Sequence, residues 1–250
     1  MFYVDWYPGR PADRVFQIRQ LPTMKRDNWL NKGKSYLSEI HLETVPSKIS
    51  KQLHVSLVKG RLQLYTDQVI YSWEDLYRNF RTAIRRLNWV KFKPESVLIL
   101  GLGLGSVIQI IEKQSKRPMK ITAVEIDEHV LYLVKKYTAA KFRSPVEYIC
   151  GDAHSFIIQN KRKYDLILFD IFIDDLIPSQ FLTLSFAKKL AQSLTESGII
   201  LLNRIAMEPD QIMASMEYFD QVYSKVFPSS VILEVRTNWI LLSNKHQLKT

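Results

Sequence analysis

From residue 96 onward, short apolar runs alternate with amphipathic stretches, and the first turn between them is built of glycine. "VLIL" (97–100) breaks into "GLGLGS", with Gly101, Gly103 and Gly105 alternating, before an apolar helical pattern runs to about Gln114. There follow a strand "KITAVEI", a helix "EHVLYLVKKY", a strand "VEYIC", a short helix and a strand "YDLILFD". The helix "PSQFLTLSFAKKLAQSL" then leads through a turn at Gly198 into the strand "GIILLN". Strands that alternate with helices and are almost wholly apolar form a parallel sheet covered on both faces. Past the helix "DQIMASMEYFDQVYSKVF", the runs "VILEVR" and "WILLS" are separated only by Thr237 and Asn238. That gap is too short for a parallel crossover and suits a hairpin, so the last strand is expected to be antiparallel. The pattern predicts an α/β fold with a mostly parallel, seven-stranded sheet.

The chain before this alternation reads differently. In "HVSLVKGRLQLYTDQVIYS" (54–72) two β-rich runs flank Lys59-Gly60, which predicts a hairpin or small sheet. Residues 1 to about 35 show no clear period and are expected to be irregular with one short strand. "WEDLYRNFRTAIRRLNWV" switches to helical spacing, with Phe80, Ile84 and Leu87 on one face. A small β-rich N-terminal region (1–72) and a larger α/β domain (73–250) follow, a division that suits 250 residues. The hydrophobic share of 46% and charged share of 24% are those of a soluble globular chain. Cys150 is the single cysteine, so no intrachain disulfide or cysteine-based zinc site forms within one chain, and a reducing cytoplasm fits. The start "MFYVDWYPGR" carries Asp5 and Pro8 where a secretion signal would be apolar, and no run reaches membrane-spanning length; neither export nor a membrane partner is expected. The net charge of +10 favours anionic partners in general. Its carriers, among them Arg78, Arg81, Arg85, Arg86 and Lys161 to Lys163, form no arginine-rich tract and read as a solvated basic surface rather than a nucleic-acid site.

In an open α/β sheet a ligand lies beyond the carboxyl ends of the strands. The glycines follow the first strand. Glu125, in "VEID", ends the second, twenty residues after Gly105, a spacing that suits a carboxylate bonded to ribose hydroxyls. Asp152 follows the third in "GDAHSF"; Asp170, with Asp174 and Asp175, follows the fourth in "FDIFIDD". Each has a purely structural alternative: the glycines could serve close packing, and Glu125, Asp127 or Asp152 could cap helices. Asp170 is hardest to explain that way, because a carboxylate closing an apolar strand is costly without a cleft or a partner. Four such strand ends together point to a nucleotide site. Ser106 stands at the sixth position of the glycine motif, which weakens a dinucleotide reading. The five histidines show no metal-ligand spacing, so no metal is expected, and neither a nucleophile elbow nor a phosphate loop is present.

The G-x-G-x-G form, the acidic end of the second strand, the aspartate after the third and the terminal hairpin resemble the Rossmann-like fold of class I S-adenosylmethionine-dependent methyltransferases. Within it, "VLILGLGLGS", "KITAVEIDEHVLYLVKKY", "VEYICGDAHSF" and "YDLILFDIFIDD" are similar to the core motifs of the spermidine synthase family, and "DQVIYSWEDLYRNF" resembles that family's stretch carrying Gln68, Glu74 and Tyr77 in register. The resemblance spans about 54 to 203. It implies S-adenosylmethionine or its decarboxylated form as the ligand, with Gln68 near it, the glycine loop around it, Glu125 on the ribose and Asp152 by the adenine. It further implies Asp170 as catalytic base, Tyr77 near a small acceptor such as an amine, and a homodimer; Asp174, with Asp175, is a candidate to stand in beside that acceptor for carboxylates the family carries nearby. The chain also departs from the family: Leu104 replaces the aspartate of the glycine loop, Arg78 and Asn79 replace His-Glu after the tyrosine, and Ile173 replaces a second aspartate. An Arg78 pointing into the cleft would oppose a bound ammonium by roughly 4 kcal/mol at about 4 Å and an effective dielectric of 20. The leading expectation is therefore methyl transfer to an unknown acceptor. Aminopropyl transfer, a non-catalytic nucleotide-binding protein and an RNA-modifying methyltransferase are the alternatives.

Overall fold

The computed structural model describes residues 14–16, 29–67, 69–76, 78–173 and 175–249. In chain order its elements are β1 (Arg14–Phe16), α1 (Trp29–Lys34), β2 (Ile40–Pro46), β3 (Gln52–Val58), β4 (Arg61–Tyr65), β5 (Ile70–Ser72) and α2 (Arg78–Arg86). The alternating part follows with β6 (Ser96–Leu100), α3 (Ser106–Ser115), β7 (Lys120–Glu125), α4 (Glu128–Tyr137), β8 (Val146–Cys150), α5 (Ala153–Gln159) and β9 (Tyr164–Phe169). It ends with α6 (Leu184–Gln192), β10 (Leu194–Ile205), α7 (Pro209–Tyr218), α8 (Ser224–Val226), β11 (Val231–Val235) and β12 (Asn238–Leu242).

The larger sheet has the order β1-β8-β7-β6-β9-β10-β12-β11, and β2 to β5 form a separate antiparallel sheet. The five strands from β8 to β10 in that order run parallel, as their buried runs require. The terminal hairpin folds back so that β12 lies antiparallel between β10 and β11. Its turn is Arg236-Thr237, one residue earlier than the spacing suggests, with Arg236 at φ 56°. The short strand expected in the N-terminal segment is β1, which adds to the far edge of the large sheet, antiparallel to β8.

Side chains alternate across the sheet with period two. Val97, Ile99, Leu166 and Leu168 join a core under α2, α3 and α4 that includes Phe80, Ile84, Ile108 and Val134. Leu98, Leu100, Ile167 and Phe169 face the opposite core, which includes Ile157, Phe186 and Tyr223. Helix starts are set locally: Asp127 caps α4 and accepts from the His129 N–H, Thr183 caps α6, and Glu208 with Gln211 forms a capping box at α7 behind Pro209. No described helix is long and apolar enough to cross a membrane.

The small sheet is bolted to the large domain by polar contacts. Glu43 of β2 accepts from the Tyr132 hydroxyl (3.1 Å), the Lys136 ammonium (2.8 Å) and the Tyr137 hydroxyl (2.8 Å), all on α4. Burial alone would raise the Glu43 carboxyl, but these three donors hold it below the usual carboxylate range.

Candidate active site

At the carboxyl ends of the parallel strands the ladder bonds continue one residue into the loops. Gly101 donates to the Val124 carbonyl (3.0 Å), Gly151 to the Glu125 carbonyl (2.9 Å), and Asp170 to the Leu100 carbonyl (2.8 Å). The residues after β6, β7, β8 and β9 are thereby held in one row. They line a cavity of about 820 Å³, closed on its far side by Ser47, Ile49, Ile70 and Tyr71 of the small sheet.

Gly101, at φ 84°, is where the backbones come closest: a Cβ there would lie 2.2 Å from the Asp170 carbonyl oxygen. A Cβ on Gly103, at φ 52°, would meet the Ser72 Cβ at 3.0 Å, so the small sheet rests directly on the glycine loop. Ser72 and Ser106 complete that junction with a buried hydroxyl pair at 2.6 Å. Gly105 caps α3 in the left-handed conformation. It does not line the cavity; Leu104 beside it is fully buried in the core.

Glu125 does not cap a helix. Its Oε2 accepts from the Leu102 N–H of the glycine loop (3.0 Å) and its Oε1 from the Asp127 N–H (3.1 Å), so it ties β7 to the loop after β6. Burial raises its carboxyl above the usual range, and the backbone donors act against that rise. Asp127 combines its cap with a bond from the Ser47 hydroxyl, which anchors the turn between β2 and β3 over this end of the cavity. Asp152 caps α5: its Oδ1 accepts from the Ser155 N–H (2.9 Å) and hydroxyl (3.0 Å). It lines the cavity as well, so the structural and functional readings of this residue coexist.

Asp170 faces the other end. Asn203 of β10 donates to its Oδ1 at 2.9 Å, and Asn238 of β12 donates in turn to the Asn203 Oδ1 at 3.0 Å. Asp175, Gln211, Asn79 and Thr237 complete this end of the lining. Arg78 is exposed and Asn79, one position along α2, lines the cavity instead, so the condition under which Arg78 would oppose an ammonium is not met. Gln68, Tyr77 and Asp174 lie outside the described residues. Asn203 and Asn238 are the site residues that sequence reasoning passed over. Asn203 carries the same signal as Asp170, a polar residue closing an apolar strand, in "GIILLN".

The model of the spermine/spermidine synthase domain matches residues 84–243, which spans most of the chain from α2 to the end of β12. The chain belongs to the spermine/spermidine synthase domain family. A family member named polyamine aminopropyltransferase, from Vibrio vulnificus (strain CMCP6), is 35% identical over 115 residues, covering 44% of this chain and 38% of its own length. The chain spans less than half the length of the curated relatives it matches first. Among solved structures, spermidine synthase from Thermotoga maritima shares the fold with a TM-score of 0.61 at 19% identity, over 81% of this chain and 72% of that one. Human methyltransferase-like protein 13, in complex with SAH, shares it at 0.52 and 22% identity, over 68% and 82% respectively. The fold expectation holds in the parallel sheet, the antiparallel β12 and the separate small sheet. On function, these names favour the aminopropyl alternative over the methyl reading that led from sequence alone.

Proposed function

We propose that the chain transfers an aminopropyl group from decarboxylated S-adenosylmethionine to a small amine. The observation that carries this reading is the charge of the cavity. Its lining includes the carboxylates of Glu125, Asp127, Asp152, Asp170 and Asp175, and no lysine, arginine or histidine among the described residues, in a chain of net charge +10. A donor bearing a carboxylate of its own would be repelled there; one charge at about 4 Å is worth roughly 4 kcal/mol at an effective dielectric of 20. The decarboxylated donor and an alkylamine are both cationic and suit the same field.

The residues divide the work by position. Glu125 spends one lone pair of each oxygen on a backbone N–H and has others for ribose hydroxyls. Asp152 stands beside it for the adenine, and the glycine loop lets the backbone approach the donor. Asp170 is the base. An alkylamine resembles lysine, with a pKa near ~10.4, and is mostly protonated at neutral pH. Asp170 accepts its proton and holds the nitrogen in line as the new C–N bond forms and the C–S bond breaks toward sulfur. Gln68 and Tyr77 join this reading through the family resemblance, Asp174 as a neighbour of the position where the family has a second aspartate, and the sheet β2 to β5 serves as the cover of the transferase site.

The direct test is product analysis of the purified chain with a diamine and either donor. The expected result is a triamine and methylthioadenosine from the decarboxylated donor, with loss of about 10²–10⁴-fold in rate for Asp170→Asn. A methylated product from S-adenosylmethionine would establish the methyl reading instead; binding of either donor without any product would leave a nucleotide-binding protein.

A further inference from the structure

Four residues at the mouth of the large sheet form a hydrogen-bond chain in which every donor points the same way. The Thr237 hydroxyl donates to the Asn238 Oδ1 at 3.2 Å; the Asn238 amide donates to the Asn203 Oδ1 at 3.0 Å; the Asn203 amide donates to the Asp170 Oδ1 at 2.9 Å. All four line the cavity, and Asn203 and Asn238 are buried.

The topology produces this alignment. Leu202 of β10 pairs with Phe169 of β9, so Asn203 and Asp170 are neighbours one residue beyond the last ladder pair. Ile205 of β10 pairs with Asn238 of β12, which places Asn238 diagonally across from Asn203 on the same face of the sheet.

An asparagine amide can present either its NH₂ or its oxygen to a neighbour. Alone, Asn203 could turn its oxygen toward Asp170. The Asn238 donor satisfies that oxygen from the other side and so commits the NH₂ of Asn203 to the carboxylate, while Thr237 fixes Asn238 in the same sense. We infer that Asn203, oriented by Asn238 and Thr237, is a positioning residue that holds Asp170 ionised and aims it at the acceptor nitrogen. A donor on Oδ1 stabilises the carboxylate over the acid. It also fixes the rotation of the group, which directs the reacting lone pairs into the cavity. The inference rests on the base role proposed for Asp170.

Among the described residues that line the cavity, the glycine loop brings no titratable side chain; β7 contributes Glu125, the segment after it Asp127, the segment after β8 Asp152, the loop after β9 Asp175 and the small sheet the Tyr71 hydroxyl, and the carboxylates among them favour proton uptake by Asp170. Arg204 of β10 is buried under α7, bonded to the Ser215 hydroxyl at 2.8 Å and stacked on Tyr218 at 4.9 Å. The amide donor therefore works against the acidic neighbours.

The test is the titration of the Asp170 carboxyl followed by ¹³C NMR in the full chain without substrate, its signal assigned by loss in Asp170→Asn. Asn203→Leu removes the donor and is expected to raise the midpoint by about one pH unit or more. Asn238→Leu, which frees the Asn203 amide to turn, is expected to raise it by less. The double variant is expected to match Asn203→Leu alone, because Asn238 acts only through Asn203. Unchanged midpoints in both single variants, or additive shifts in the double one, would overturn the inference. These readings need no turnover, so they stand apart from the product test. If the chain proves active, the acid limb of its kcat/KM profile is expected to move with the NMR midpoint while donor affinity stays unchanged.

Discussion

At the scale of single residues, the site is made by polar groups placed where apolar strands end. A carboxylate is too costly there without a cleft, so Asp170, Glu125 and Asp152 were legible in the sequence. Asn203 carried the same signal, but an amide is cheaper to bury and stands out less. The direction of Arg78 was left open by the sequence: one step along a helix turns a side chain by about 100°, and it is Asn79 that the cavity receives. Gly101 offers the sharpest substitution. Gly101→Ala forces a β-carbon into the left-handed region, at a cost of about 1–2 kcal/mol, and against the Asp170 carbonyl oxygen besides. The expected outcome is a lower melting temperature together with loss of donor binding by calorimetry; an unaltered protein would mean that the close approach at this turn is wrong.

Asp165 tests the opposite end of the sheet. It accepts from the Glu95 and Ser96 N–H groups and from the Ser96 and Thr195 hydroxyls, which outweigh burial and hold its carboxyl below the usual range. A depressed carboxylate contributes stability above its unfolded pKa, and that contribution is lost as pH falls through the folded value. Asp165→Asn should therefore destabilise by about 1–3 kcal/mol near pH 7, with the difference from the parent shrinking below about pH 4, as read by denaturant unfolding at both values. A pH-independent difference would contradict the hydrogen-bond account.

At the scale of elements, the strongly periodic units were readable and their edges were not. β6 to β9 and the helices between them follow directly from apolar runs and helical spacing. β10 begins at Leu194, ahead of the Gly198 turn, because its register shifts between Leu194 and Ile199 and the pairing with Tyr164 survives the irregularity. α6 begins only at Leu184, since Pro178 precedes a 3₁₀ turn at Ser179–Leu182 and Thr183 supplies the cap. The helix read as continuous after Pro209 passes through a π turn at Phe219–Tyr223, which no periodicity signal marks. β1 was legible only as a short strand, because its partner is more than a hundred residues away in β8. The hold of the small sheet on α4 is an element-scale prediction. Glu43→Ala leaves the Tyr132, Lys136 and Tyr137 donors without their acceptor; amide exchange measured by mass spectrometry should rise across residues 40–72 and stay unchanged in β6 to β9. Uniform protection throughout would show that the Glu43 contacts do not hold the small sheet.

At the scale of the whole molecule, the chain separates its charges: a basic exterior surrounds a cavity whose described ionisable groups are all acidic. Net charge alone therefore misleads about the ligand, because a few carboxylates in a low-dielectric cleft set the local field. The strand-end row of the cavity was legible in the sequence, whereas its other end depends on which strand lies beside β10 and on which residue of α2 faces inward. Those facts exist only in the folded chain. The central claim of the proposed function is that the acidic cavity disfavours a donor that carries a carboxylate, and a side-by-side calorimetric titration with S-adenosylmethionine and its decarboxylated form tests it most directly. The account predicts at least about tenfold tighter binding of the decarboxylated form, a difference of about 1.4 kcal/mol. Equal or tighter binding of S-adenosylmethionine would contradict it.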